Sequence, residues 1–533
     1  MIWPAPNFCR RSRASRSTAE RNFWAAIVPS HDSGGVRQVS QLLHAGFAVL
    51  CVLAIWVFVR RWGSLPAAVA ATAMGTCGWL MYLAPLAYVE MPMLFVSIVM
   101  VGVFVSTLHA GCLDVKASIL IGVLLGLAGG YKYTALAMLG PGVILALVLA
   151  GLPTLQIRKI VLYPAATMLA AAVMLSPYLI RNYCWTGNCV FPFGYEYFGG
   201  RSWDSQLAER WRRGHAPRAD QRTLAARLDA LYSAGLRNVI LDPLVARRYR
   251  AAGLFDRADQ LLHPKPILDL PQFGLAVLFL PWVVFFTRQR SLSDALLLVI
   301  FLAATGIWLC ATHLQARFLI PWLAVLPFLI GRSTQALTQS GGIFRTAVVV
   351  AVLAVSAGIN FHDGYHRYVQ HVYFKGQRVD LFGGQRWFLE GQIPGYEYLE
   401  AVNARPGART MLLGEARPFY VKGQAITWTV FNANEFARHA GRGKGLGDLK
   451  AYLAQVRPDF LYVNWSEISR LAGTYGFEKS VTPNLFKFLS SPARFSMKRI
   501  GSWGPMIRCQ GTLVPARTLY QFEYPAPRTP PKK

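Results

Sequence analysis

Residues Ser176 to Phe193 read SPYLIRNYCWTGNCVFPF, and here a long apolar run stops and a long polar loop begins. Before it, Val161–Ile180 has the length and composition of a membrane-spanning helix. After it, Tyr183, Trp185, Phe191 and Phe193 alternate with the turn residues Gly187, Asn188 and Pro192, the pattern of a chain leaving hydrocarbon at headgroup level. Arg181 stands at the junction, where a cation on a rigid helix end can meet a phosphate.

The totals agree with a membrane setting. Of 533 residues, 54% are hydrophobic and only 15% are charged, whereas a soluble domain carries about 25% charged residues. Mean hydropathy is +0.32. Lys plus Arg exceed Asp plus Glu by 55 − 26 = 29. Much of that excess flanks apolar runs, so topology and anionic lipid account for it and nucleic acid is excluded as a partner. No zinc-type spacing occurs among the eight cysteines. Cys51, Cys77 and Cys310 lie inside apolar runs as packing residues. Cys184 and Cys189 flank WTGN and could pair in an oxidising compartment.

Working outward, residues 1–41 form an irregular, arginine-rich segment whose one apolar patch, FWAAIVP, is too short to span. The membrane domain is expected over 42–360, with about ten candidate spans. These are Leu42–Val59, Leu65–Leu86, Met91–Leu108, Ala117–Gly129, Thr134–Leu152, Val161–Ile180, Leu270–Phe286, Ala295–Ala311, Phe318–Ile330 and Thr346–Ile359. Arg60, Arg61, Lys116, Arg158, Lys159, Arg288, Arg290, Arg332 and Arg345 fall on one side, which the positive-inside rule makes cytoplasmic. The other side then holds the N-terminal segment, the turns at Glu90, Lys132 and His313, the long loop 181–269 and everything after Asn360. Within that loop LAARLDALYSAGL has helical periodicity, and Asp204 is placed to cap a helix. Residues 361–533 read as a small extracytoplasmic α/β domain. TMLLG, AITWTV and FLYVNW are its strands and LGDLKAYLAQV a helix between the last two, with PAPRTPPKK as a disordered end.

The residues that carry chemistry are those that break membrane rules. Short outer turns should be poor in cations, yet Lys132 (GGYKYTA) and Arg317 (HLQARFLIP) sit in them. Snorkelling to a headgroup accounts for any one such residue. With Arg181 at another outer helix end, three cations converge on one side, and a shared phosphate-bearing ligand becomes the better account. Glu90 in LAYVEMPM lies on the same side, where a buried carboxylate is costly. It is either a cap for the helix opened by Met91 and Pro92 or a base that orients an acceptor hydroxyl. His313 is an interfacial histidine or a hydrogen-bond donor to sugar or phosphate. LLGEAR lacks the spaced glycines of a phosphate loop, and the sequon at Asn464 depends on the host.

Taken in order, YVEMPM, GLAGGYKYTAL, SPYLIRNYCWTGNCVFPF followed by FGGRSWD, and HLQARFLIPWLAVLPFL resemble bacterial GT-C glycosyltransferases of the protein O-mannosyltransferase and lipid A aminoarabinose transferase type. The resemblance covers roughly His31 to Ile359, and LLGEARPFY and FLYVNWSEISRLAGTYG look like the outer domain of bacterial relatives. It implies a GT-C fold in the cytoplasmic membrane with an outer catalytic cavity. It also implies inverting transfer of a sugar from a polyprenyl-phosphate carrier to an acceptor hydroxyl. By position, Glu90 matches the acid of the second outer loop, Lys132 the lysine of the third, and Arg317 the arginine of the H-x-x-x-R turn. Arg181, Asn182 and His313 complete the expected substrate-binding set. The family's first span and its Asp-bearing outer loop have no recognisable counterpart in residues 1–41. That departure implies a misassigned start, a truncated gene or a remnant, and leaves Asp32 as the nearby acid that could substitute as a catalytic residue. A monophosphate leaving group can be handled by cations alone, so no cofactor is required, and a divalent metal is compatible. The rival readings are a lipid-linked glycan transporter or flippase, for which repeated broken-helix halves are wanting, and a catalytically impaired remnant. Sugar and acceptor are not legible.

Overall fold

The structure is a computed structural model that describes residues 33–237, 273–378 and 395–524, apart from residues 87, 202, 218, 375–376, 419, 442–445 and 492–496. Asp32, most of the N-terminal segment, loop residues 238–269 and the closing PAPRTPPKK lie outside the described residues. The chain is an α-helical multi-pass membrane protein with a small α/β unit, and it forms two compact units. One comprises the chain up to Arg181 together with Ala216–His371, the other Asn182–His215 together with the chain from Val372 on. Residues 182–215, read from sequence as part of one long loop, thus cluster with the C-terminal part.

In chain order the helices that position the site are α1 (Ser33–Val59), α2 (Glu90–His109), α3 (Val115–Tyr131), α4 (Tyr133–Gly151), α5 (Ile157–Thr186), α6 (Ser205–His215), α7 (Leu224–Tyr232) and α8 (Leu292–Ala311). Among the described residues six helices are long and apolar enough to cross a membrane, and a seventh span arises if Ala316–Ala324 and Leu326–Gln339, bent by 51°, count as one. Shorter apolar helices cover Ser64–Gly75, Val115–Tyr131 and Leu275–Phe286. Each of the ten runs expected from hydropathy therefore meets a helical element, though not always an unbroken one.

The breaks have local causes. The run from Leu65 to Leu86 stops as a helix at Gly75 and resumes at Gly78, and the freed Thr76 carbonyl accepts from Asn360 Nδ2 at 2.8 Å. Near Pro281, which has no N–H, the helix tightens to a 3-10 turn over Leu280–Phe286. Ser333 then repairs the backbone, taking Val284 N–H at 2.9 Å and donating to Pro281 O at 3.2 Å. Arg332, read from sequence as a cation on the same side as Arg288 and Arg290, reaches Gln289 O at 2.7 Å and is buried. It forms a two-pronged pair with Asp294, at 2.9 and 3.1 Å, because Asp294 closes the capping box of α8 and needs a cation beside it.

Helices α3 and α5 meet through small residues, as expected where lipid supplies no hydrophobic drive for association. A Cβ added to Gly126 would lie 2.6 Å from the Ala171 carbonyl oxygen, and one on Gly122 would collide with Thr167 O. Thr167 Oγ1 crosses the same seam to Ser118 O at 2.9 Å.

The second unit is a five-stranded sheet built from β1 (Arg409–Leu413), β2 (Gln424–Thr427), β3 (Phe460–Asn464), β4 (Met497–Cys509) and β5 (Thr512–Phe522), in the order β2-β1-β3-β5-β4. Strands β2, β1 and β3 run parallel, and β5 joins β3 antiparallel. All of FLYVN is buried, as a parallel central strand demands. Met411, Leu413, Leu461 and Val463 enter one core while Leu412, Phe460 and Tyr462 enter the other, the period-2 alternation of strands. Gly447–Val456 is the helix expected before β3. The loop 182–215 packs into this unit by aromatic contacts and by α6. Asp204 caps α6 through Leu207 N–H at 2.8 Å, and Arg210 reaches Val430 O at 3.0 Å and Glu478 at 2.9 Å. Cys184 and Cys189 carry free thiols.

Gly126→Val should strain the α3–α5 seam, with about 1–3 kcal/mol lost. A clearly lowered unfolding temperature in detergent is expected, and an unchanged one contradicts the close approach.

Candidate functional site

Glu90 opens α2, next to the positive end of the helix dipole. It is 3% exposed. A carboxylate buried that deeply needs its charge answered, and Lys132 answers it with Nζ 2.7 Å from Oε1. The second oxygen, Oε2, accepts from Val89 N–H at 3.2 Å. One side chain thus meets both a backbone N–H at the start of α2 and a cation from the next turn.

Lys132 is the single extended residue (φ −159°, ψ 124°) that ends α3 and starts α4. Its N–H donates to Ala128 O at 3.1 Å and its carbonyl accepts from Ala135 N–H at 3.0 Å. The backbone is thereby fixed on both sides of the turn.

Arg317 and His313 come from the turn after α8. Leu314 there has a positive φ of 56°, a conformation that costs an L-residue about 1–3 kcal/mol. The turn is held by Thr312 Oγ1, which accepts from Leu314 N–H at 3.1 Å, and by the buried Trp308, whose Nε1 donates to Gln315 O at 3.0 Å. From α7, Arg227 reaches Leu309 O at 2.8 Å and so covers the open carbonyl end of α8.

These elements converge on the ring of Phe318. Lys132 Nζ lies 4.9 Å from its centroid, Arg317 Cζ 5.6 Å, and the His313 ring stands edge-on at 5.0 Å. The Arg317 charge acts on both Glu90 and Lys132. Arg317 Nε is buried with no hydrogen-bond partner, an orphan donor of the kind that marks a missing acceptor. Arg181 stacks on Tyr178 at 4.4 Å, and Tyr178 meets Tyr133, the neighbour of Lys132, at 5.1 Å. The structure thus gathers Glu90, Lys132, His313 and Arg317 directly and ties Arg181 to them through two tyrosines.

Asn182 is buried and donates to Cys189 O at 3.4 Å, shaping the WTGN turn. Asp32 lies outside the described residues. His44, Arg227 and Phe318 escaped the sequence reading. A histidine inside the apolar run of α1 was a usable signal for the first. Arg227 is one of many loop arginines, and nothing in the sequence sets Phe318 apart.

Two cations against one carboxylate leave one net positive charge at Phe318. That arrangement suits an oxyanion, with the partly dry setting strengthening each contact. Among the described residues no group of three or more His, Cys, Asp or Glu side chains could hold a metal ion.

No protein-family profile matches the chain. No curated protein matches it either. Among solved structures it is similar to the Archaeoglobus fulgidus oligosaccharyltransferase in complex with zinc and sulfate, at 14% identity and a TM-score of 0.47, over 86% of this chain and 60% of that one. It is similar to the archaeal oligosaccharyltransferase AglB from the same organism, bound to an inhibitory peptide and a dolichol-phosphate, at 14% identity and 0.46, over 96% and 66%. It is also similar to ArnT from Cupriavidus metallidurans bound to undecaprenyl phosphate, at 13% identity and 0.47, over 90% and 83%. The chain spans less than two thirds of the archaeal proteins' length, and at these scores the likenesses carry no argument about its activity.

Lys132→Ala strands a buried carboxylate and should lower the unfolding temperature more than Lys132→Ala with Glu90→Gln. The double-mutant cycle should give a coupling of about 0.5–3 kcal/mol. Strict additivity contradicts the pair.

Proposed function

We propose that the protein is a membrane glycosyltransferase that takes a sugar from a polyprenyl-phosphate carrier and passes it, with inversion, to an acceptor hydroxyl on the extracytoplasmic side of the cytoplasmic membrane. The observation that carries this reading is the Phe318 cluster. Lys132 and Arg317 are held by rigid backbone at one helix-end rim, with a net positive charge and the buried, unpartnered Nε of Arg317. A phosphodiester carries one negative charge and complements that balance.

In transfer, the acceptor oxygen forms a bond to the anomeric carbon as the bond from that carbon to the phosphate oxygen breaks. The bonding pair leaves with the phosphate, which gains charge. Lys132 and Arg317 stabilise that developing charge, a contribution that grows in a water-poor site. Arg181, one tyrosine pair away, is placed for the lipid side of the carrier. The acceptor proton goes to a carboxylate, and Glu90 is the candidate among the described residues. Donor phosphate drawing Lys132 toward itself frees Glu90 Oε1 to accept. Attack opposite the departing phosphate inverts the anomeric centre.

The sidedness rests on charge. Arg60, Arg61, Lys116, Arg158, Lys159, Arg288 and Arg290 adjoin the helix ends opposite the cluster, as cytoplasmic cations do. The unit that follows the last span then lies outside.

The test uses the purified protein in bilayer discs with a polyprenyl-phosphate sugar donor. Lys132→Ala and Arg317→Ala should each lose transfer by about 100- to 1,000-fold while still inserting. Glu90→Gln should lose turnover by about 100-fold or more with donor affinity kept. Wild-type rates in the two cation variants overturn the proposal, and an unchanged rate in Glu90→Gln reduces Glu90 to a helix cap.

A further inference from the structure

His44 is 3% exposed inside α1, in an otherwise apolar stretch where an imidazole is costly unless both nitrogens are satisfied. Both are. Nε2 lies 3.1 Å from the Met91 N–H, which can only donate, so this nitrogen is the acceptor. The proton therefore sits on Nδ1, which donates to Ala84 O at 3.2 Å. One neutral ring bridges Ala84 and Met91, the two ends of the connection that delivers Glu90.

Helix α2 has no side-chain cap of its own, because its N-cap residue is Val89. His44 supplies from α1 the acceptor that the first turn lacks. Cys51, two turns further along α1 on the same face, reaches Met91 O at 3.8 Å. Helix α1 thus grips both the N–H and the carbonyl of the residue after Glu90. Phe47, between them, packs on Phe95 of α2 at 5.8 Å between centroids.

We propose that His44 is a positioning residue for the Glu90–Lys132 pair: as the neutral Nδ1–H tautomer it fixes the first turn of α2 and so aims the Glu90 carboxylate at Lys132. The side chain works through backbone and touches no substrate. Its consequence for turnover rests on the transferase reading, while its consequence for the pair does not.

Three measurements on the full chain test it. Imidazole 15N shifts of wild-type protein should show His44 neutral with the proton on Nδ1, and a cation or the opposite tautomer overturns the assignment. The acylation rate of Lys132 by an amine reagent, read by mass spectrometry, should rise several-fold in His44→Phe, which keeps volume and loses both bonds. It should return to the wild-type value in His44→Gln, whose amide offers one donor and one acceptor. Equal rates in all three proteins overturn the positioning role. In the transfer assay His44→Phe should lower kcat by about 100-fold, the scale of a misplaced catalytic group. Its donor KM should be little changed, and Gln should restore the rate. A loss confined to KM contradicts the role. Absence of transfer in wild type weighs against the transferase reading, and the tautomer and labelling results still decide on His44.

Discussion

A carboxylate buried at the end of a membrane helix survives only beside a fixed cation, and this requirement organises the membrane unit. Glu90 needs Lys132, so the turn between α3 and α4 must come to the start of α2. Lys132 then faces Phe318, which the turn after α8 brings in with Arg317 and His313. Attraction of a cation to a ring face is worth about 0.5–2 kcal/mol and strengthens away from water. An aromatic ring can therefore hold two like charges near one another without neutralising either. A second carboxylate in that place would close the cluster to an incoming anion. Arg332 and Asp294 show that alternative, because their two-pronged pair leaves little charge to offer.

Rigidity is the second theme. Every charged member of the cluster sits on backbone with a specific anchor. His44 and Cys51 hold Met91, Ala128 and Ala135 bracket Lys132, and Trp308 and Thr312 lock the turn before Arg317. The strained Leu314 is consistent with a turn over-determined by such contacts. Charge on fixed backbone of this kind stabilises a developing anion with little reorganisation beyond the Lys132 side chain.

The apolar runs were legible because hydropathy is a property of local sequence, and each meets a helical element, though among the described residues only six or seven are long and apolar enough to cross a membrane. Their interruptions were less so. Pro281 announced a fault, but its repair by Ser333 depends on a residue 52 positions away. Strands β1 and β3 stood out as buried apolar runs, whereas the hairpin of β4 and β5 did not. Strand β4 is mostly solvent-facing and carries Lys498, Arg499, Gly501 and Gly504, which blur its alternation. Glu90, Lys132, Arg181 and Arg317 were visible as charges in places that membranes disfavour. That Lys132 and Arg317 share the Phe318 ring, with Glu90 paired to Lys132 and Arg181 linked through Tyr178, follows from the crossing of distant helices, which no local pattern encodes. The pairing of Arg332 with Asp294 was hidden for the same reason, since Asp294 lies on another helix.

The central claim is that Lys132 and Arg317 together receive the phosphate of a polyprenyl carrier. Dipolar recoupling between the 31P nucleus of bound undecaprenyl phosphate and side-chain 15N of lysine and arginine, measured in bilayers, tests it at the contact itself. The account predicts dephasing at both Lys132 Nζ and the Arg317 guanidinium, each lost when that residue alone is replaced by methionine. A carrier that binds with its phosphorus dephased by neither nitrogen contradicts it.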